Sequence, residues 1–349
     1  MFTLRHFHAH KVRLWLITVG LLTLINAFTP TQYIHAKELI GAGSPVWSPS
    51  GRQIAYTIYQ NQQSDLYTID VDGSTPIKLA DNAGQPKWSP DGKRIAYPSY
   101  DSNTGTINLV DVSSRAITKL ITGFSPNWSP DGKQLLYVAD DGLFIANADG
   151  STPGKMIVDR AFRVWDAVWS PDGKRIALAS QGKTDNSSIL SIINSDGSGL
   201  NKISESTDEV SLSWSPDGSQ LIFVGDCGEQ SHGNICIVNA DGTNPRSLLH
   251  SRSAVQPIWS PDGKQILFTN GNLYLMNADG TNQHQLTGHK AQTEDREACW
   301  SPDGKHILFT RMHFPSSTGG EPYIVYFEVY MMSVDGSHMR RLPDGLAIF

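Results

Sequence analysis

The sequence is organised by a short motif, Trp-Ser-Pro-Asp-Gly, that occurs seven times. It begins at Trp47, where Ser50 replaces the aspartate, and again at Trp88, Trp128, Trp169, Trp214, Trp259 and Trp300. Successive tryptophans are separated by 41, 40, 41, 45, 45 and 41 residues. A fixed period of roughly 20–50 residues is typical of repeat proteins, so each copy predicts one structural unit.

Each residue type in the motif suits a tight turn between two strands. Proline fixes φ near about −65° at the second position of a turn, aspartate is accepted next, and glycine readily adopts a positive φ. A short apolar strand follows every copy, as in Ile95-Ala96-Tyr97. A second turn, of which Asn147-Ala148-Asp149-Gly150 is an example, comes later in most repeats and favours another hairpin.

About four short strands fit in each repeat, which predicts the blade of a β-propeller. We therefore predict an all-β fold, a β-propeller of seven four-stranded blades, with six blades as the alternative. The repeated tryptophans are expected to pack between neighbouring blades. The stretch Glu38-Leu39-Ile40 resembles the Lys119-Leu120-Ile121 strand of the second repeat, so we expect it to pair with the last blade. The final strand, Met339 to Leu342, competes for that place.

Residues 1–36 have the pattern of a secretory signal peptide. Arg5, Lys11 and Arg13 form a basic start, and a largely apolar run from residue 14 to residue 28 follows it. Cleavage is expected after Ala36, with Ala27 as the alternative site and an uncleaved signal anchor as the alternative outcome. The predicted organisation is a signal peptide, 1–36, and a propeller, 37–349. We expect a periplasmic or secreted protein with no membrane span after cleavage.

Charge and motif content exclude several classes of function. Three of the 28 Lys and Arg residues lie in the predicted signal peptide, so 25 remain against 34 Asp and Glu residues. An acidic chain without a basic stripe argues against nucleic acid and against anionic membrane surfaces as partners. Neither a Gly-x-Ser-x-Gly elbow nor a His-Glu-x-x-His zinc pair is present. The sequence predicts no cofactor and no metal site, and we expect a monomer.

The functional face is predicted from the loops. With the strands of a blade named A to D, the two stereotyped turns, A–B and C–D, fall at one end of an up-and-down blade. The B–C and D–A connections fall at the other end, and their lengths vary between repeats. Function usually lies on variable loops that a rigid scaffold holds, so we place it at this end.

A column of polar residues indicates the same end. The residue three positions before each tryptophan is polar in all seven repeats, whereas the residue two positions before it is never polar. Alternation along strand A then directs the polar column into the channel. The predicted binding residues are Ser44, Gln85, Ser125, Asp166, Ser211, Gln256 and Glu297. Glu209 and Asp295 are expected at the rim, and such a mouth suits cations, basic peptides or sugars. The alternative is a water-filled channel without a ligand.

Two of the three cysteines bracket one of the variable loops. Cys227 and Cys236 could meet across the B–C hairpin of the fifth repeat, and a disulfide is plausible in an exported chain. Zinc binding by this pair with His232 lacks a fourth local ligand. Cys299 precedes Trp300 and is interpreted as a small buried side chain rather than a nucleophile.

The repeats resemble a known family. Seven motifs of the Trp-Ser-Pro-Asp-Gly type, with Asp-Gly turns between them, are similar to the TolB-like β-propeller repeat family over nearly all of residues 38–349. The resemblance implies a propeller that binds partner proteins of the cell envelope. Similar repeats occur in prolyl-oligopeptidase-like peptidases and in oligogalacturonate lyase-like enzymes, which use histidines that the polar column lacks.

From the residues and the resemblance together we predict an exported, non-catalytic module that binds a protein or a peptide. The alternative is a carbohydrate-active or hydrolytic enzyme, or a small-ligand binder, that uses the polar channel mouth. No catalytic residues are predicted.

Overall fold

The structure is a computed structural model that describes most of the chain after residue 35. The described ranges are 36–60, 62–100, 105–159, 163–181, 187–206, 211–227, 234–251, 255–288, 292–314 and 323–343. The predicted signal peptide, apart from Ala36, lies outside these ranges. The described residues form 28 strands and no helix. They therefore include no helix of the length and apolarity that crossing a membrane requires.

The strands follow the repeats, which are numbered by their motifs so that repeat 1 contains Trp47 and repeat 7 contains Trp300. Repeats 1 to 4 contain β1 (Ala36–Trp47), β2 (Gln53–Gln60), β3 (Gln63–Asp70), β4 (Ile77–Ala80), β5 (Lys87–Trp88), β6 (Arg94–Ser99), β7 (Thr106–Asp111), β8 (Ile117–Thr122), β9 (Phe124–Trp128), β10 (Gln134–Ala139), β11 (Gly142–Asn147), β12 (Lys155–Asp159), β13 (Val164–Trp169), β14 (Arg175–Gln181), β15 (Ser188–Asn194) and β16 (Asn201–Ser206). Repeats 5 to 7 contain β17 (Leu212–Trp214), β18 (Gln220–Gly225), β19 (Asn234–Asn239), β20 (Arg246–Leu249), β21 (Val255–Trp259), β22 (Gln265–Asn270), β23 (Asn272–Asn277), β24 (His284–Gln285), β25 (Thr293–Trp300), β26 (His306–His313), β27 (Tyr323–Ser333) and β28 (Arg340–Arg341).

Repeats 2 to 6 each form a separate four-stranded sheet. The strands lie in sequence order within each sheet, and neighbouring strands are antiparallel. In each repeat the motif tryptophan is the last residue of strand A, and the motif turn leads into strand B. This all-β arrangement of meandering four-stranded sheets is that of a β-propeller, as the repeat period predicted.

Repeats 1 and 7 share one eight-stranded sheet, which answers how the two chain ends are accommodated. The first half of β1 runs parallel to β27, from Ala36 beside Tyr323 to Gly41 beside Phe327. Its second half is strand A of repeat 1 and pairs antiparallel with β2. The short strand β28 pairs with the other half of β27. The two terminal strands therefore do not compete, because each occupies a different half of the same edge.

Gly41 is the point at which β1 passes from one partner to the other. It pairs with Phe327 on one side and with Tyr59 on the other. Its φ is +126°, a conformation that side-chain-bearing residues rarely adopt. A Cβ at this position would overlap the carbonyl oxygen of Phe327. Only glycine therefore lets the N-terminal strand join the last repeat to the first.

The tryptophans pack between repeats, as expected. All seven indoles are 7–9 % exposed. Each lies in a cluster with residues of the preceding repeat, so that Trp128 packs with Ala96 and Leu109. Trp47 has no preceding repeat, and it packs instead with Leu308 and Val329 of repeat 7. Burial of this size contributes about 4–6 kcal/mol of gross stabilisation per indole, from ~150–250 Å² at ~25 cal/mol per Å².

Side-chain hydrogen bonds fix the motif turn. In repeat 3 the hydroxyl of Ser129 donates to Asp131 Oδ1 at 2.6 Å and accepts the backbone N–H of Gln134 at 2.9 Å. Asp131 also accepts the N–H of Lys133 at 3.0 Å. The N–H of Gly132 closes the turn on the Ser129 carbonyl. The serine bonds recur from repeat 2 to repeat 7.

The aspartate is absent only from the first copy of the motif. There the Ser48 and Ser50 hydroxyl oxygens are 3.2 Å apart, and the N–H of Arg52 lies 3.4 Å from Ser50 Oγ. Elsewhere the serine hydroxyl holds the pKa of the motif aspartate below its usual range, and the pKa of Asp217 falls to about 2. The turn of repeat 1 is therefore fixed by weaker bonds than the others.

We expect Ser50→Asp to stabilise the protein by about 0.5–1 kcal/mol, because it restores charge-assisted hydrogen bonds at an exposed turn. Asp131→Ser is the matched reverse change and should cost a similar amount. Urea denaturation at pH 7 measures both. A lowered folded-state pKa means that the gain is present above about pH 4 and is lost as the pH falls towards 2. Unchanged denaturation midpoints in both variants would contradict the role given to these bonds.

Gly41→Ala tests the crossing point of β1. The Phe327 carbonyl and the positive φ together should make it cost about 2–4 kcal/mol. Gly288→Ala is the control, because a Cβ there meets only the flexible Gln285 side chain at 3.7 Å. Thermal denaturation compares the two. Equal melting temperatures for wild type and Gly41→Ala would mean that β1 is not fastened to β27 in solution.

Candidate functional site

The propeller has two unlike ends. Because the strands of each sheet are antiparallel and in sequence order, all A–B and C–D turns lie at one end, called here the motif mouth. The B–C and D–A connections lie at the other end, called the variable mouth. Several of those connections fall outside the described residues, so the variable mouth is described by the strand ends that bear them.

The predicted polar column lies three positions before the tryptophan that ends each A strand, and Gln85 and Ser211 precede the short strands β5 and β17. Ser44 is buried, Ser125 is exposed, and the five other members are partly exposed. The neighbours one position closer to the tryptophan, such as Pro86 and Pro257, are buried in six of the seven repeats. The two sets therefore face different surroundings, and the polar set is the one nearer to solvent.

A β-bulge interrupts strand A at the column, which the sequence did not reveal. In β25 the three steps from Arg296 to Cys299 face two steps on β26, and Glu297 has a φ of +52°. Repeats 1, 3 and 6 show the same register shift. Their column residues have positive φ as well: Ser44, Ser125 and Gln256. The bulge turns these residues out of the regular pleat and re-aims their side chains.

Glu297 joins repeat 7 to repeat 1. Its carboxylate accepts the Ser44 N–H at 2.7 Å, the Ser44 hydroxyl at 3.1 Å and the Thr310 hydroxyl at 2.8 Å. The backbone N–H of Glu297 in turn donates to Gln256 Oε1 of repeat 6 at 3.1 Å. Burial raises the pKa of the Glu297 carboxyl despite these donors. Three members of the column are thus engaged with one another.

Asp166 is the other acidic member of the column, and its surroundings differ. It accepts the backbone N–H of Ala167, and burial raises its pKa while the Lys87 ammonium acts in the opposite direction. No hydrogen bond or ion pair links it to Glu297 among the described residues. Neither carboxyl is among the groups that shift the pKa of the other.

One of the two expected rim acids, Asp295, is not at the rim. Asp295 is fully buried, and its carboxylate receives Arg311 Nε at 2.7 Å and Nη2 at 2.9 Å. The expectation of an exposed acid was wrong there, because the longer strand β25 carries this residue into contact with β26. Glu209 lies outside the described residues.

The cysteines have separate roles. Cys227 and Cys236 form a disulfide that closes the B–C connection of repeat 5. Cys299 is a free, partly buried thiol that donates to the Pro45 carbonyl at 3.3 Å. Burial raises the pKa of this thiol to about 12, so it is not a thiolate at neutral pH. In the described part of the chain, no three His, Cys, Asp or Glu side chains cluster closely enough to hold a metal ion.

Comparison with known proteins places the repeats in context. A family model described as the TolB beta propeller domain matches residues 30–261. A stretch of 37 residues is 46 % identical to the Tol-Pal system protein TolB of Thioalkalivibrio sulfidiphilus. That match covers 11 % of this chain and 8 % of the relative, so the chain corresponds to a small part of the relative's length.

Solved structures share the fold at low identity. An oligogalacturonate lyase from Vibrio parahaemolyticus is 12 % identical with a TM-score of 0.63, over 89 % of this chain and 91 % of that one. The β-propeller domain of the Trilobed protease from Pyrococcus furiosus is 16 % identical with a TM-score of 0.63, over 87 % and 97 %. At these identities the likeness concerns the fold alone.

Glu297→Ala should destabilise the protein by about 1–3 kcal/mol, because it leaves the Ser44 N–H and the Thr310 hydroxyl without their acceptor. Ser125→Ala, at an exposed column position, is the control and should change stability by less than about 0.5 kcal/mol. Chemical denaturation measures both. Equal losses of stability in the two variants would mean that the hydrogen bonds of Glu297 between repeats 7 and 1 do not stabilise the fold.

The pH dependence gives a second check on Glu297. Since its folded-state pKa is raised, the folded protein holds this proton more tightly than the unfolded chain does. Its contribution to stability therefore falls as the pH rises from the ordinary value of 4.5 through the raised one. Glu297→Gln lacks this component, so the stability difference between wild type and variant should vary with pH in that direction. A difference that stays constant from pH 4 to 8 would contradict it.

Proposed function

Since the chain belongs to the TolB β-propeller domain family, we propose that it is an exported, non-catalytic module that binds a protein or a peptide at its variable mouth. The partner is a basic segment of a protein of the cell envelope or the extracellular space. The observation that carries the proposal is Asp166, a partly exposed carboxylate of the polar column whose side chain no cation of the described residues pairs.

The scaffold for this site is, we propose, a ring of seven blades. Support comes from the cluster in which Trp47 of repeat 1 packs on repeat 7, as every other motif tryptophan packs on the repeat before it. The motif turns repeat this order, because Gly132 faces Pro90 of the preceding turn and Gly51 faces Pro302 of the last one. A ring holds the column residues at fixed positions around one opening.

The available chemistry favours binding over catalysis. Among the described residues, Asp166 has one backbone donor and no acid that shifts its pKa, whereas Glu297 already accepts three hydrogen bonds. Hydrolysis of a glycoside requires two carboxylates within about 5–10 Å that are free to act. The likeness to an oligogalacturonate lyase is one of fold and suggests no chemistry for this site.

Export is supported by two independent features. Residues 1–36 have the order of charges and apolar residues that signal peptides show. The Cys227–Cys236 disulfide persists only in an oxidising compartment such as the periplasm or the extracellular space.

Asp166→Lys tests the site. Wild-type protein and variant are immobilised and exposed to the exported fraction of the source cells. We expect the variant to retain at least fivefold less of the bound partner, because the reversed charge repels a basic segment. Asp140→Lys is the matched control, since Asp140 is an exposed acid of the repeat 3 B–C turn outside the column.

Two results would contradict the proposal. Equal capture by wild type and Asp166→Lys would mean that the partner binds somewhere other than the channel mouth. Turnover of glycan or peptide substrates by the wild type, abolished in Asp166→Asn, would make the protein an enzyme. Melting temperatures of all variants establish that the differences do not come from unfolding.

A further inference from the structure

A cavity at the motif mouth is not explained by partner binding at the opposite end. It has a volume of about 310 Å³ and lies across repeats 1, 2 and 3. Three tryptophans, Trp47, Trp88 and Trp128, line it with the prolines two positions after them. Aromatic and proline walls with a few polar groups are typical of small-ligand sites, and a volume of roughly 300 Å³ is at the lower end of their range.

The polar groups of this cavity are departures from the repeat. The position directly before each motif tryptophan is occupied in the other repeats by Val46, Val168, Ser213, Ile258 and Cys299. Repeat 2 has Lys87 there and repeat 3 has Asn127. The propeller does not require either residue, because five repeats form the same strand without them. Both residues line the cavity, although they come from different repeats.

Neither side chain has a partner. Lys87 is exposed, and its side chain makes no hydrogen bond or ion pair within the described residues. Its charge nevertheless reaches the channel interior, since it lowers the pKa values of Asp166 and Cys299 against the effect of their burial. Asn127 is partly exposed, and its amide makes no side-chain hydrogen bond with a described residue. In contrast, Lys78 is paired with Asp65 and Asp81.

We propose that this cavity is a second binding site, for a carboxylate that is attached to an aromatic or aliphatic body. The Lys87 ammonium attracts the carboxylate as a compact point charge, and the Asn127 amide donates a second hydrogen bond to it. The indole and proline walls bury the apolar body. The carboxylate belongs either to a free organic acid or to the C-terminus of a peptide whose last residue is apolar.

The chemistry of this site is opposite to that of the variable mouth. Its charged group is a cation, whereas the charged members of the polar column are Asp166 and Glu297. A basic segment suited to the column is therefore repelled by Lys87, and an organic acid is repelled by the column. The two sites accordingly favour different ligands, although the charge of Lys87 acts on Asp166 as well.

The test uses the full-length protein and two carboxylate probes, 3-phenylpropanoate and N-acetylglycylphenylalanine, with their neutral amides as matched controls. Calorimetry and ligand-observed NMR give the dissociation constants. We expect at least one carboxylate to bind at least tenfold more tightly than its amide. Preference for 3-phenylpropanoate indicates a free acid, and preference for the peptide indicates a C-terminus.

Lys87→Met keeps the apolar stem and removes the charge, so it should weaken carboxylate binding at least tenfold and leave amide binding unchanged. Asn127→Leu should weaken it about three- to tenfold. Lys133→Met is the control, since Lys133 is an exposed lysine of the neighbouring motif turn that does not line the cavity. Because the Lys87 side chain makes no bond in the fold, its variant should melt at the wild-type temperature.

The proposal is overturned if neither carboxylate binds at 10 mM, if acid and amide bind equally, or if Lys87→Met binds as the wild type does. Asp166→Lys separates the two sites. If Asp166→Lys loses partner capture but still binds the carboxylate, the cavity at the motif mouth binds its ligand whether or not the proposed partner site is intact.

Discussion

Everything in this fold depends on the packing of one indole per repeat against the repeat before it. A single four-stranded sheet has two apolar faces and cannot bury both alone, so repeats stabilise one another in series. The indole of Trp128 also donates to the Lys87 carbonyl of the preceding repeat at 3.0 Å, and Trp88 and Trp214 donate in the same way at 3.3 Å. Arginines strengthen two of these contacts, because Arg94 stacks over Trp128 and Arg175 over Trp214. The tryptophan therefore sets both the spacing of the repeats and their mutual orientation.

When each repeat packs on the one before it, one face of the first repeat and one face of the last repeat still need a partner. Repeats 1 and 7 cover these faces by contacting each other through residues that depart from the repeat pattern. Gly41 lets β1 contact β27 and β2 in one strand. The Arg340 guanidinium donates to the carbonyl of Val71 in repeat 1. In other repeats, a leucine or an isoleucine of strand D makes the corresponding contact with the C–D turn of the next repeat. Glu297 ties Ser44 to the last repeat through charged hydrogen bonds. Polar and directional contacts thus concentrate at the junction between first and last repeats, where a specific match matters more than buried area.

The sequence predicts those parts of the structure that are held by interactions between residues close together in the chain. The turn at Ser129, Asp131 and Gly132 is contained in five consecutive residues, so the motif predicted the tight turn, although not the hydrogen bonds of its serine. The polar column was visible as a pattern, but the bulge at Glu297 was not, because register is decided between strands. The partner of Asp295 was equally hidden, since Arg311 lies 16 residues away on the next strand and nothing in the local pattern pairs them. The division of the β27 edge between β1 and β28 was not visible in the sequence for the same reason.

In a repeat protein, the residues that the fold needs recur, so a residue that occurs once at a repeated position has a different cause. The seven tryptophans and glycines of the motif turns recur and belong to the architecture. At the position before each tryptophan, Lys87 and Asn127 each occur once, and they adjoin the same cavity although they come from different repeats. In the polar column, Glu297 has structural partners, whereas the one donor to Asp166 among the described residues is a backbone N–H. The residues that distinguish the two openings, Lys87 and Asn127 at one and Asp166 at the other, are thus not ones that the repeat requires.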